Sequence, residues 1–503
     1  MAIQKAPTIE EMYVFCKKKG FVYPSSEIYG GLSGFFDFGP LGVETKNKIK
    51  QSWWKSFVQQ EDNIVGIDGA LISPKKVWEA SGHVESFTDI LIECTKCKTR
   101  YRADHLIEEQ LRISVEKKSE KEIEQLAKEK GLKCPKCNSK VFSAPSKFNL
   151  MFKIFVGAKE EAENIAYLRG ETAQNIFTAF KNVTDTSRVK LPFGIAQSGK
   201  AFRNEISPRE FLFRTREFEQ MEMEFFTHPG KADDCTSLKK YLDLELNVLP
   251  AKNQKDHHEH CEHKKIKVGD VLRLRTNKWQ VYWLVREYLW FVNELGMNPA
   301  NLRVREHRAD ELAHYARSCF DLEYHFPTGW KEIYGNADRG QFDLSRHEEF
   351  SGQKLEFFDE TSGERIIPRV ASEPSQGVER AFLALMFDAY NDDKERGNIV
   401  LKLSPKIAPV FCAVFPLVKN KPELAEKAKG IHEQLKKCCF CFYDETGSIG
   451  RRYARADETG IPYCITVDFD SLQDDSVTIR DRNTTKQERV AIAELKNRLL
   501  TTL

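Results

Sequence analysis

Phe202-Arg203-Asn204-Glu205-Ile206-Ser207-Pro208-Arg209-Glu210-Phe211-Leu212-Phe213-Arg214-Thr215-Arg216-Glu217-Phe218-Glu219-Gln220-Met221-Glu222-Met223-Glu224-Phe225-Phe226 is the stretch from which the rest of the chain can be read. Ser207-Pro208 is a turn signal between two runs of alternating side chains, which predicts two antiparallel strands joined by a loop. Period-two alternation then sets Arg203 and Glu205 on one face of the first strand, and Arg214 and Arg216 on one face of the second. Several arginines on one face suit a polyphosphate, because each guanidinium fork can bind its oxygens in pairs. The carboxylates further along suit a cationic group, and Phe218 offers a flat surface for a base. A hairpin that merely faces solvent has a similar composition, so the rest of the chain has to decide.

The 503 residues are enough for two or three domains with substantial cores. With 41% hydrophobic and 30% charged residues the composition is that of a globular protein. The net charge is only +2, so any contact with RNA has to come from local basic patches. No apolar run is long enough to span a bilayer. The N-terminal MAIQKAPTIEEMYVF lacks the apolar core of a signal peptide, and its acidic pair argues against a transit peptide; the expectation is a cytoplasmic protein. Of the 13 cysteines, four fall in two tight pairs and the rest are scattered, which suggests a reducing compartment with one metal site.

Residues 8–20 read as a short amphipathic helix closed by Gly20. The glycine-aromatic turn from Tyr29 to Gly42 leads into a helix, Val43 to Gln59, carrying Trp53, Trp54 and Phe57. Ser81, Gly82 and His83 sit on an expected loop, where a lone histidine reads as an ordinary hydrogen-bonding residue. Cys94-x-x-Cys97 and Cys134-x-x-Cys137 frame a charged, helical stretch of roughly residues 105–130. Four thiolates in two such pairs match a closed, structural zinc site on an outgrowth.

Leu191 to Gln197 reads as a buried strand feeding into the hairpin. Upstream lies L-R-G-E-T-A-Q (168–174), and downstream G-W-K-E-I-Y-G-N-A-D-R (329–339) and E-P-S-Q-G-V-E-R (373–380). In the last of these a strand ends and a helix begins near Gly377 with Arg380 in its first turn, an arrangement suited to an anion. The order L-R-x-E-T-A-Q, F-R-N-E, R-E-F-x-Q-x-E, G-W-x-E, E-P-S-x-G resembles that of class II aminoacyl-tRNA synthetases of the glycyl type. Gly170 stands where that family usually has proline. After Leu403-Ser404-Pro405, alternating strands and helices predict a small, mostly parallel sheet, including a helix from Lys486 to Leu500. Its G-S-I-G-R-R-Y-A-R-A-D-E-T-G-I-P resembles the anticodon-binding domain shared by the glycyl, threonyl, prolyl and histidyl enzymes.

The resemblance implies an α+β catalytic domain, an antiparallel sheet flanked by helices, over residues 1–93 and 138–403. A zinc-knuckle insertion then occupies 94–137, a second insertion with the cluster H-H-E-H-C-E-H occupies 228–270, and a C-terminal α/β anticodon-binding domain occupies 404–503. It implies activation of glycine with ATP and Mg2+, and transfer to tRNA(Gly), by a homodimer whose interface includes Tyr29 to Phe57. Arg203, Glu205 and Arg380 are the expected catalytic residues. Asn204, Phe213, Arg214, Phe218, Glu332, Ile333 and Gly377 complete the expected ATP site. Glu171, Glu222, Glu373 and Ser375, with Phe218 and Arg102, are expected around glycine. Arg451, Arg452 and Arg455 are expected to meet tRNA. The competing reading is a non-catalytic nucleic-acid-binding paralogue; the presence of the arginines and the three glutamates argues for the enzyme.

Overall fold

The arginine- and glutamate-rich stretch lies in the middle of a nine-stranded sheet. The computed structural model describes residues 6–501 except 112, 114, 116, 117 and 255–260. In chain order the sheet strands are β1 (Ile64–Ile67), β2 (Phe193–Phe202), β3 (Glu217–Thr227), β4 (Glu245–Leu249), β5 (Lys264–Lys267), β6 (Leu302–Glu306), β7 (Ser318–Phe326), β8 (Gly329–Asp338) and β9 (Arg369–Gly377). Across the sheet they run β5-β4-β6-β7-β8-β9-β3-β2-β1. All neighbours are antiparallel except β4 with β6 and β2 with β1.

Five helices position this sheet. α1 (Ile9–Lys19) starts with a capping box at Thr8 and ends on left-handed Gly20. α2 (Pro40–Trp54) continues for one wider turn, Lys55–Gln59. α3 (Ala173–Ser187) covers β2, and α4 (Lys278–Asn293) is apolar around most of its circumference because it lies buried on the sheet. α5 (Val378–Ala389) follows β9 directly and packs on α2. Trp53, Phe57, Trp283, Trp290 and Phe382 join one apolar core with Met221, Met223 and Phe225 of β3. Full burial of each such side chain stabilises the fold by roughly 1.5–3 kcal/mol.

The expected hairpin forms, but its strands stop earlier than expected. β2 ends at Phe202 and β3 begins at Glu217, so Arg203, Glu205, Arg214 and Arg216 all lie in the connection. Glu210 and Phe211, both with positive φ, turn the chain there, and Arg203 N–H donates to Arg216 O at 2.9 Å to close its base. Arg216 therefore does not share a face with Arg214. Its guanidinium donates to the Glu205 and Ser33 carbonyls and holds the loop together.

Other expectations are corrected in the same way. The stretch 105–130 is two helices, Ala103–Leu111 and Glu120–Glu129, with a fresh capping box at Ser119. Residues 228–270, expected as a second insertion, carry β4 and β5, which extend the main sheet at its edge. His257, His258, Glu259 and His260 of the histidine cluster lie outside the described residues.

The C-terminal sheet consists of β10 (Cys412–Pro416), β11 (Cys441–Tyr443), β12 (Tyr463–Val467), β13 (Ser476–Asp481) and β14 (Gln487–Ala491), in the order β11-β10-β12-β13-β14. Two of its pairings are parallel and two antiparallel, so it is mixed. β14 occupies the start of the expected helix, since Val490 pairs with Val477 and buries there; helix α8 covers only Ile492–Leu500. α6 (Pro422–Leu435) and α7 (Ile449–Glu458) cover the sheet. Among the described residues no helix is long and apolar enough to cross a membrane.

Candidate active site

Sheet register assembles the site. β2–β3 pairing sets Gln197 opposite Glu222, β3–β9 pairing sets Glu222 opposite Ser375, and β8–β9 pairing sets Gly335 opposite Ser375. Above this row opens a cleft of about 340 Å3. Arg102, Arg203, Glu205, Phe213, Arg214, Phe218, Glu332, Ser375, Gly377 and Arg380 all line it. Residues spread over nearly 280 positions of sequence thus meet: Arg102 comes from a separate three-stranded sheet, and the others sit on or beside strands of the nine-stranded one.

The upper wall is cationic and aromatic. The Arg203 guanidinium lies 5.3 Å from the ring centres of both Phe87 and Phe218, and its Nε donates to Gly170 O at 3.1 Å. Arg380 sits 4.6 Å from the centre of Phe213 and pairs with Glu332 at 3.0 Å. Arg214 lies 3.9 Å from Glu205, whose carboxylate is buried. Arg102 is already paired with Asp89 at 2.9 Å and with Asp104 at 2.5 Å, so it enters the cleft largely neutralised. Burial pushes the Asp89 carboxyl up to about 6 despite Arg102 beside it. Asn204 does not line the cleft; its N–H donates to Leu150 O at 2.7 Å. The Ile333 side chain joins the apolar core under the sheet, as does Tyr334, because the β7–β8 register shifts at this point.

Glu171, Glu222 and Glu373 do not line the cleft; beside it, two and four residues along β3 from cleft-lining Gln220 and two along β9 from Ser375, lies a nest of buried carboxylates. Arg339 Nη1 donates to Glu373 at 2.5 Å, and its Nε and Nη2 each donate to Asp343 at 2.7 Å. Glu171 lies 3.3 Å from His83 and 3.9 Å from Arg339. Glu222 accepts a short bond from the Thr172 hydroxyl. Carboxylate oxygens of Glu222, Glu224 and Glu373 lie within 4.8 Å of one another. Burial alone would raise every one of these groups. His83 and Arg339 hold Glu171 well below the usual carboxylate range instead. Glu222 is raised by burial and by Glu171; Glu373 and Glu224 are raised far above it, with their carboxylate neighbours adding to burial. Five carboxylates thus crowd around one arginine and one histidine, so the nest is short of positive charge. A cation entering here would relieve that shortage, so the nest is matched to an ammonium group.

His83, Thr172, Glu224, Arg339 and Asp343 were not among the expected site residues. Arg339 closes the pattern G-W-x-E-h-x-G-x-A-x-R (h hydrophobic), which was the available signal; His83 had none beyond its loop. Lys46 of α2 bonds Glu379 at 2.8 Å and Glu219 at 2.9 Å, tying the hairpin base to the start of α5.

The four knuckle cysteines converge. Cys94 and Cys137 Sγ are 3.6 Å apart, as are those of Cys97 and Cys134. Four sulfurs at Zn–S bond length around a tetrahedral ion would be separated by roughly 3.8 Å, so the donor set and its spacing fit zinc. The Thr99 hydroxyl holds the Cys97 thiol down to about 6, towards the thiolate that a metal needs.

The expected tRNA arginines do not share one surface. Arg451 is exposed and Arg455 half-exposed, the latter paired with Asp444 at 2.5 Å. Arg452 is only 1% exposed and donates to the Pro416 and Leu417 carbonyls, so it is a structural residue at the end of the inner strand β10. Arg480 and Arg482 are likewise buried, on Asp457 and on the Gly460 and Leu403 carbonyls.

Residues 152–249 match the family "tRNA synthetase class II core domain (G, H, P, S and T)", and residues 412–502 match "Anticodon binding domain". The class of protein defined by fold and site is therefore a class II synthetase core joined to an anticodon-binding domain. The chain is 44% identical over 507 residues to a glycine–tRNA ligase of Clostridium beijerinckii, covering 99% of this chain and 98% of that one. It is 46% identical over 495 residues to that of Caldanaerobacter subterraneus, covering 97% of each, and 46% over 499 residues to that of Geobacillus kaustophilus, covering 98% of each. The chain belongs to the glycine–tRNA ligase family.

Proposed function

We infer that the chain attaches glycine to its tRNA in two steps. The glycine carboxylate attacks the α-phosphorus of ATP, forming glycyl-adenylate and releasing pyrophosphate. The terminal ribose hydroxyl of the tRNA then attacks the carbonyl carbon and AMP leaves. Neither step needs a covalent protein nucleophile; positioning and charge neutralisation suffice. Arg203 stabilises charge developing on the α-phosphate, while Arg214 and Arg380 hold the outer phosphates. Glu205 reads the adenine amino group and Phe218 stacks on the ring, with Phe213 and Gly377 lining the rest of that site and Asn204 and Ile333 supporting it from behind. Glu332 offers a cleft-lining carboxylate of the hard-oxygen type that suits magnesium, which would neutralise phosphate charge.

The observation that carries the reading is the nest of under-neutralised carboxylates next to an arginine-lined cleft, on the same strands as cleft-lining Gln220 and Ser375. Glu171, Glu222 and Glu373 grip the glycine ammonium, with Ser375 beside them and Arg102 on the wall near Asp89. Selection against alanine is steric, because one added carbon in a rigid pocket costs about 1–3 kcal/mol or more. Zinc held by Cys94, Cys97, Cys134 and Cys137 would be structural. Arg451 and Arg455 remain as exposed contacts for tRNA(Gly), and Arg452 as the group that holds their helix in place. Ile28, Tyr29 and Leu32 stand 88%, 86% and 56% exposed, an apolar patch suited to a second copy of the chain.

The test is ATP–pyrophosphate exchange with glycine, alanine and serine. Exchange with glycine alone supports the reading. Its absence with every amino acid, from folded and zinc-loaded protein, overturns it. Sedimentation of the same sample reads the proposed dimer.

A further inference from the structure

A second group of thiols comes together far from the knuckle, in the C-terminal sheet. β10 and β11 are parallel neighbours, with Cys412 opposite Cys441. The chain enters β11 through Cys438-Cys439-Phe440, and Phe411 N–H donates to Phe440 O at 2.9 Å. That bond clamps the residue before Cys412 against the residue after Cys439. The Cys412 and Cys439 sulfurs are 3.8 Å apart. A disulfide requires about 2.05 Å, so the gap is within reach of side-chain rotation once the two backbones lie side by side.

Access and electrostatics divide the roles. Cys412 and Cys441 are buried, Cys439 is half-buried and Cys438 is exposed. The ammonium of Lys48, on α2, reaches this corner and donates to Ala408 O. The hydrogen bond from Cys412 and the charge of Lys48 hold the Cys439 thiol below its ordinary value. Cys412 is raised by its contacts with Cys439 and Cys441 and by burial. One sulfur is therefore reachable and inclined to thiolate, and the other is a protonated neighbour in position to resolve it.

We propose that Cys412 and Cys439 form a reversible, peroxide-sensitive disulfide site in the C-terminal domain. The Cys439 thiolate attacks one oxygen of hydrogen peroxide, giving a sulfenic acid and hydroxide. Cys412 sulfur then attacks the Cys439 sulfur, the S–O bond breaks, and the hydroxyl leaves as water with the Cys412 proton. Two thiols are oxidised by two electrons and one peroxide is reduced to two waters. A thiol reductant reverses the step by attack on the more accessible Cys439 sulfur.

The test uses full-length, zinc-loaded protein treated with hydrogen peroxide, blocked with iodoacetamide and digested with trypsin. Cleavage leaves Cys412 on peptide 407–419 and Cys438, Cys439 and Cys441 on peptide 438–451. The expected result is a cross-link between these peptides that dithiothreitol removes. Cys438→Ser and Cys441→Ser keep it, while Cys439→Ser and Cys412→Ala lose it. Cys412→Ala should instead accumulate a dimedone adduct at Cys439. A cross-link that persists in Cys439→Ser overturns the assignment, as does wild-type protein oxidised at Cys438 with Cys412 still free. Should the buried Cys412→Ala fail to fold, the half-buried Cys439→Ser still decides.

Discussion

Single side chains set the chemistry of the proposed glycine pocket, and charge balance makes that testable. Glu222 is 1% exposed, bonded to Thr172 and hemmed in by other carboxylates. Glu222→Gln keeps the shape but removes charge that the ammonium would draw out. Breaking a buried, hydrogen-bonded charge pair costs about 2–5 kcal/mol, so the expected rise in KM for glycine in the exchange assay is at least roughly thirtyfold. KM for ATP should change little. His307 offers a pH-dependent case. Burial would lower its pKa, but Asp321, 2.7 Å away, more than offsets this and raises it to about 11. A group whose folded pKa is raised contributes stability that is fully present below its unfolded value of about 6.5 and lost as pH rises towards 11. His307→Gln should therefore cost most near pH 6, and the gap in denaturation midpoint from the parent protein should shrink steadily by pH 9.

At the scale of elements, α2 is held where a side chain would not fit. A Cβ on Gly42 would stand 1.9 Å from the Phe21 carbonyl oxygen. Gly42→Ala should push α2 off the chain end of α1 and cost at least about 1–3 kcal/mol, read as a lower urea midpoint. The sequence carried much of this level. Alternation in Glu217–Thr227 and the apolar girth of Lys278–Asn293 identify strand and helix because each pattern records which faces are buried. What it could not record was exposure of charge. Arg451, Arg452 and Arg455 look alike as letters, yet Arg452 serves backbone carbonyls inside the fold while its neighbours face out. His83 was hidden for the opposite reason. Nothing around it in sequence announces Glu171, which the fold brings from 88 positions away. Gln487–Ala491 read as helix because an edge strand has few buried side chains to betray its period.

At the scale of the molecule, the insertion and the C-terminal body are attached differently. The cysteine knuckle closes a small core of its own, Ile92, Leu106, Ile107, Val115, Ile123 and Leu132. Chelation of zinc should speed backbone hydrogen exchange in residues 88–149 and leave β3, β8 and β9 protected; equal loss across the main sheet would contradict a local role. The C-terminal body is clasped by Arg396, which donates to Arg482 O at 2.7 Å, Asn483 O at 3.0 Å and Asp457 at 3.2 Å. Arg396→Ala should lower charging of tRNA severalfold while glycine-dependent pyrophosphate exchange stays at the parent level, because only the first of these needs both bodies in register.

β9 and α5 are one uninterrupted piece of backbone, with Glu373 and Ser375 at one end and Arg380 little more than a turn beyond. A strand running straight into a helix is a stiff ruler, marked with the proposed amino-acid pocket and the proposed phosphate anchor on a single rod. Thermal motion that displaces one mark carries the other with it, so the spacing between the two reactants is kept even while the whole rod moves. Mutations that loosen α5 should then blur both substrates together instead of misaligning them.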